Sequence, residues 1–260
     1  MPEPTRHMTR SAVREKARGF IKESWQSQAN LSFFLGLLVA LAFILPSLGF
    51  GKNDELEYAD VAFSLLMISG VAIAWGRRRL FPVAVFVGSA TLAVRWMTFL
   101  TPTHMLQVWT GFWSIAVVVV IAIVLLAQVF RSGPVTSYRV QGAIAVYLLF
   151  GVAWAHAYHL TALLNPGSFN GANQLSSPVD YAYFSYVTLS TVGYGDITPV
   201  RPIARSLAVG ESMTGQLYLA VLIARLVAME VITWQQSQEA QGNGGQNSAG
   251  AEATSKETNA

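Results

Sequence analysis

The chain has no cysteine, which excludes disulfides and thiolate metal sites. Charge is scarce too: Asp, Glu, Lys and Arg make up 12% of the 260 residues, about half the share of a typical soluble domain, while apolar residues reach 53%. That balance excludes an ordinary soluble globular protein and points to one embedded in a lipid bilayer. A phosphate-binding glycine loop, a metal-ligand cluster and a nucleophile–base pattern are all missing. No enzyme class therefore finds support, and neither nucleic acid nor a small-molecule cofactor is expected. Residues 1–30 carry six basic side chains (Arg6, Arg10, Arg14, Lys16, Arg18 and Lys22) but no long apolar core, which argues against a cleaved leader. This basic segment is expected on the cytoplasmic side, with residues 11–26 forming either an interfacial helix or a merely solvated one.

What the chain does have is long apolar runs. Residues 31–50 are a charge-free stretch of twenty residues, long enough to cross the roughly 30 Å hydrocarbon layer. Two shorter runs, 61–76 and 80–94, flank Arg77, Arg78 and Arg79. They read as two short spans whose arginines snorkel, or as a hairpin that dips in without crossing. Residues 107–130, with Trp109 and Trp113 at one end as interface anchors, form a fourth span, 140–164 a fifth and 203–234 a sixth. With both termini cytoplasmic, only Lys52, Arg95, Arg201 and Arg205 of the seventeen basic residues fall outside, as the positive-inside rule requires. The expected organisation is a basic segment 1–30, a four-helix peripheral region 31–131, a second unit 139–234 and a tail 235–260. That tail is rich in Gln, Gly, Ser and Asn and is expected to be disordered and cytoplasmic. The protein is thus expected to be a multi-pass protein of the cytoplasmic membrane.

Between the fifth and sixth spans, after an apolar, aromatic-rich stretch 181–190, stands the run Thr191-Val192-Gly193-Tyr194-Gly195-Asp196. Stripping water from a cation takes rings of oxygens at the right distance, and backbone carbonyls supply them if successive residues all point to one axis. That demands unusual backbone angles. Gly193 and Gly195 enter the positive-φ region at little steric cost, and the Thr191 side chain can add another oxygen ring.

These six residues resemble the TVGYGD signature of the potassium channel superfamily, and the resemblance covers about residues 140–229. It implies an all-α membrane protein with six transmembrane helices per subunit, a re-entrant pore helix and filter loop between helices 5 and 6, and a tetrameric pore. K+ is the permeant ion, coordinated at Thr191, Val192, Gly193 and Tyr194, with Gly195 completing the filter, as in the TVGYG loops of potassium channels. One loop cannot surround an ion, so a homotetramer in the bilayer is the implied assembly. Gly215 falls at the family's inner-helix hinge. The stripe Ser212, Gln216, Leu219, Ile223 and Val227 recurs at helical spacing and would face the pore, Gln216 in the cavity and Ile223 and Val227 as a dewetting gate. An ordinary packing stripe is the other reading.

Two departures from the family stand out. Bacterial two-helix channels commonly place a glutamate in the pore helix beside the filter aspartate. Here that position is Val187, so Tyr183, standing where relatives put a tryptophan, is expected to donate to Asp196. The fourth span has no Lys or Arg between residues 107 and 130, so it lacks the charges of a voltage sensor. Arg95 is the nearest candidate charge, with pairing to Asp60 as its expected role. Glu211, inside the sixth span, is either hydrogen-bonded to the pore helix or part of a pH sensor with His156 and His159. A potassium-selective channel passing ions passively is the expectation, and a non-conducting membrane scaffold retaining a pore-like unit is the alternative.

Overall fold

The computed structural model describes residues 29–44, 47, 52–74, 80–101, 103–130, 136–171 and 177–258. The expected helix at 11–26, the end of the first span and the arginine turn at 77–79 lie outside the described residues. In chain order the elements are α1 (Ala29–Ile44), α2 (Lys52–Ala74), α3 (Phe81–Leu100), α4 (His104–Val129), α5 (Ser137–Leu164), β1 (Phe169–Asn170), α6 (Pro178–Leu189), β2 (Thr198–Pro199) and α7 (Pro202–Thr258).

Among the described residues four helices are long and apolar enough to cross a membrane, over Phe81–Thr98, His104–Val129, Ser137–Leu164 and Pro202–Val231. Apolar helix Ala29–Ile44 and the Asp60–Ala74 part of α2 are shorter. Over Ala40–Ile44 the first widens to π geometry. The third span is longer than expected: α3 continues through Arg95 to Leu100 instead of ending at 94. Arg95 is ion-paired with Asp60 of α2, and its guanidinium carbon sits 4.8 Å from the centre of the Phe63 ring. A neutralised arginine need not end an apolar helix. At the other extreme α7 runs on to Thr258, where composition predicts disorder from Gln235. No proline occurs after Pro202, and Gln, Glu and Ala are good helix formers, so low apolar content here is compatible with helix.

Helix α4 is central to the packing of the peripheral region. Its Val117, Val118, Ile121 and Leu125 share one buried cluster with α1, α2 and α5 residues such as Phe34, Leu66 and Leu149. In lipid, helix association depends on close packing and hydrogen bonds across helices more than on expulsion of water. Both are present. A Cβ on Gly70 would lie 2.5 Å from Ile121 Cδ1, so α2 approaches α4 closely at this glycine and any larger residue would require the Ile121 side chain to shift. Between α3 and α4 the Thr98 and Thr110 hydroxyls are 2.8 Å apart, and Thr91 Oγ1 donates to the Trp113 carbonyl at 3.2 Å. Such bonds contribute about 0.6–2 kcal/mol each.

A second cluster, with Tyr158, Phe169, Tyr181, Phe184 and Ile197, seats α6 against α5. Helix α6 begins at Pro178, suited to the first helical position, and the Asp180 carboxylate accepts the Ser177 N–H at 2.8 Å. At 12 residues it is too short to cross a bilayer. Strand β1, just before α6, pairs antiparallel with β2, just after the loop that follows it, in register Phe169↔Pro199 and Asn170↔Thr198. The 171–197 excursion therefore leaves and returns at one place.

Candidate functional site

Helix α6 ends at Leu189 and its last carbonyls receive the next N–H groups. Thr191 N donates to Thr188 O at 3.0 Å, and Val192 N and Gly193 N both donate to Val187 O, at 3.0 and 3.3 Å. These bonds turn the backbone N–H groups toward the helix. Among the described residues no backbone N–H donates to the carbonyls of Thr191, Val192, Gly193, Tyr194 or Gly195. The chain achieves this with φ of 58° at Gly193 and 81° at Gly195, as their lack of a Cβ permits, and also with 60° at Thr191. The last was not expected, and for a β-branched residue it costs on the order of 1–3 kcal/mol. The negative pole of α6 abuts this loop, which favours a cation there.

Around the loop the expected residues fall as follows. The Tyr183 hydroxyl donates to Asp196 Oδ2 at 2.8 Å. That bond, with help from the N–H groups of Ile197 and of Asp196 itself, holds the Asp196 carboxyl below its ordinary range. Val187 contributes its carbonyl rather than its side chain, a role the sequence does not single out because any residue has that atom. From α7, Gln216 Nε2 lies 3.4 Å from Thr191 Oγ1, and Ser212 Oγ donates to Thr188 O at 3.3 Å. Leu219, Ile223 and Val227 follow on an exposed face of the single subunit. Gly215 sits in an unbroken helix, and a Cβ there would collide with the Leu189 carbonyl. Close approach of α7 to the end of α6 alone demands glycine.

Glu211 is fully buried and accepts hydrogen bonds from Tyr158 and Ser185, on α5 and α6. Of its two expected roles, hydrogen bonding to the helix that precedes the 191–196 loop agrees with the Ser185 contact, while a grouping with His156 and His159 is not seen. Tyr158 is two residues from His156 and one from His159, about 200° and 100° around the helix. The His156 ring packs edge-on against Phe63 at 4.8 Å, and the His159 ring is 5.1 Å from Tyr181. Ser185 Oγ also lies 2.8 Å from the Gly151 carbonyl. A serine has one hydroxyl proton, so both links are made at once only if Glu211 supplies a proton of its own. Tyr158 and Ser185 were missed by sequence reasoning, since neither belongs to a motif.

The ion-channel family model matches residues 143–231. Over 92 residues, 35% of this chain, the segment is 30% identical to a voltage-gated potassium channel of Aeropyrum pernix, covering 28% of it. It is 38% identical over 80 residues to protein LctB of Geobacillus stearothermophilus, 31% of this chain and 58% of that protein. With two pore potassium channel c of Oryza sativa the identity is 35% over 83 residues, 32% of this chain and 17% of the relative. The chain thus spans less than two thirds of the length of these relatives. No solved structure matches. Loop, helices and matches together define the segment as an ion-channel pore unit in a membrane protein. More narrowly, that unit belongs to the potassium channel superfamily.

Proposed function

We propose that four copies of the chain assemble around their 191–196 loops and pass K+ passively down its electrochemical gradient across the cytoplasmic membrane. The reading rests above all on the row of carbonyls at residues 191–195 that no backbone N–H occupies. A single subunit leaves this row and its side chains uncovered, with Tyr194 71% and Val192 55% exposed. One loop lines only one side of an ion, and a closed ring of identical subunits supplies the others. In this reading α6 is the re-entrant pore helix, α5 the outer helix and α7 the inner helix. Thr191, Val192, Gly193 and Tyr194 form the K+ sites, Gln216 lines the cavity beneath, and Ile223 and Val227 narrow the far end. Both chain termini then lie in the cytoplasm, with Asp196 at the outer mouth.

Purified protein in liposomes tests this through bi-ionic reversal potentials. The expected result is strong preference for K+ over Na+. Equal permeability would remove the potassium reading, and no flux at all would favour the scaffold alternative.

A further inference from the structure

Away from the filter, a cavity of about 530 Å³ lies between the peripheral helices and the pore unit. This volume is within the range of small-molecule sites. Two of its lining groups have no hydrogen-bond partner among the described residues: Ser114 Oγ, on a fully buried side chain, and the buried Nε of Arg95. Helix register puts them at one level of the α3–α4 seam. Thr98 pairs with Thr110, and about one turn further along each antiparallel helix stand Arg95 and Ser114. Leaving a buried hydroxyl unpaired is costly, and an arginine Nε can only donate. Both groups therefore ask for an acceptor.

Charge decides what kind. Arg95 is already paired with Asp60, which also lines the cavity, so their charges cancel. A charged ligand would enter without a counter-charge and meet either the arginine or the aspartate as a repulsive neighbour, at a desolvation cost that a neutral one avoids. Among the remaining lining residues Thr98, Gln107, Thr110, His156 and His159 are polar, while Phe63, Val152 and Leu163 form apolar walls. We propose that this cavity binds a small, neutral amphipathic molecule whose carbonyl-type oxygen accepts from Ser114 Oγ and Arg95 Nε and whose apolar body lies against those walls. Tyr181 and Ala182 of α6 line the same space, so the ligand bridges the peripheral helices and the helix that carries the filter.

The test uses three probes with one body and different heads: 4-phenylbutanamide, 4-phenylbutyrate and 4-phenylbutylammonium. Binding to the full chain in nanodiscs is measured by equilibrium dialysis against empty nanodiscs. The amide is expected to bind saturably, once per subunit, and at least about tenfold more tightly than either ion. Ser114→Ala should weaken it roughly fivefold, the equivalent of one hydrogen bond, and Ser114→Leu should abolish it by filling the space. Absence of saturable amide binding, equal binding of the carboxylate, or unchanged binding in both Ser114 variants would each overturn the proposal. A neighbouring subunit filling the cavity would show as the first of these. Because the measurement involves no ion flux, its failure is distinct from failure of the conduction reading.

Discussion

At the scale of single residues, the bond between Tyr183 and Asp196 braces the 191–196 loop, the outer end of the filter in the proposed reading. Tyr183→Phe is expected to leave the assembly folded while speeding the decay of K+ current during sustained opening several-fold. Asp196→Asn should do likewise, and the double variant should add nothing, since both changes remove one interaction; additivity in the cycle would show that the side chains act separately. Because the Asp196 carboxyl is held below its ordinary value, near 3.9 when free, its contribution is fully present above that range. It is lost only as pH falls through the lower folded value. External acidification from about pH 8 to 5 should therefore not reproduce the Tyr183→Phe decay. Glu211 gives a second expectation. Glu211→Gln offers both an acceptor and an N–H donor, so it keeps the links to Tyr158, Ser185 and Gly151 and should retain the melting temperature in detergent. Glu211→Ala leaves the buried Tyr158 hydroxyl without its acceptor, while Ser185 keeps the Gly151 carbonyl, and should cost about 1–3 kcal/mol. If Gln melts as low as Ala, the carboxyl is held ionised instead. The Tyr183 partnership was legible because counting along α6 from a known motif fixes both ends. The partners of Glu211 were not, because they depend on how three helices rotate against one another.

At the scale of elements, α6 and α7 meet where Gly215 passes the Leu189 carbonyl. Gly215→Ala should raise intrinsic helix stability yet displace the end of α6, costing about 1–3 kcal/mol through overpacking and lowering K+ flux. Unchanged flux with a higher melting temperature would show that α6 has room to yield. The long helices were legible from their apolar runs, and the positive φ at Gly193 and Gly195 from the residue type. Positive φ at Thr191 was not, because it is imposed by the turn that brings two N–H groups onto the Val187 carbonyl rather than by any preference of threonine. Nor was the passage of α3 through Arg95, which needs Asp60 from another helix. The extent of α7 beyond Trp234 was hidden for a different reason: low apolar content argues against a packed core but not against helix, which Gln, Glu and Ala favour.

At the scale of the whole molecule, the peripheral helices carry little charge that an electric field can move. Helix α4 has no Lys or Arg, and Arg95 is tied to Asp60. Moving one charge across the membrane is worth about 2.3 kcal/mol per 100 mV, so steep voltage dependence needs several. Open probability should change shallowly with potential. A steep curve abolished by Arg95→Gln would assign that arginine a sensing role.

The helices of one subunit are also unequal in length. The candidate span Phe81–Thr98, of 18 residues, reaches roughly 27 Å at 1.5 Å per residue, short of a hydrocarbon layer of about 30 Å. The 30-residue candidate span Pro202–Val231 reaches roughly 45 Å and must tilt or protrude. In the proposed assembly the rim therefore draws the surrounding lipid thinner while the inner helices are upright only in a thicker one. Swapping host lipids changes the balance between these demands. Flux compared across phosphatidylcholines of increasing acyl length should pass through a maximum, and a flat series would mean that neighbouring helices alone set the tilt of α7.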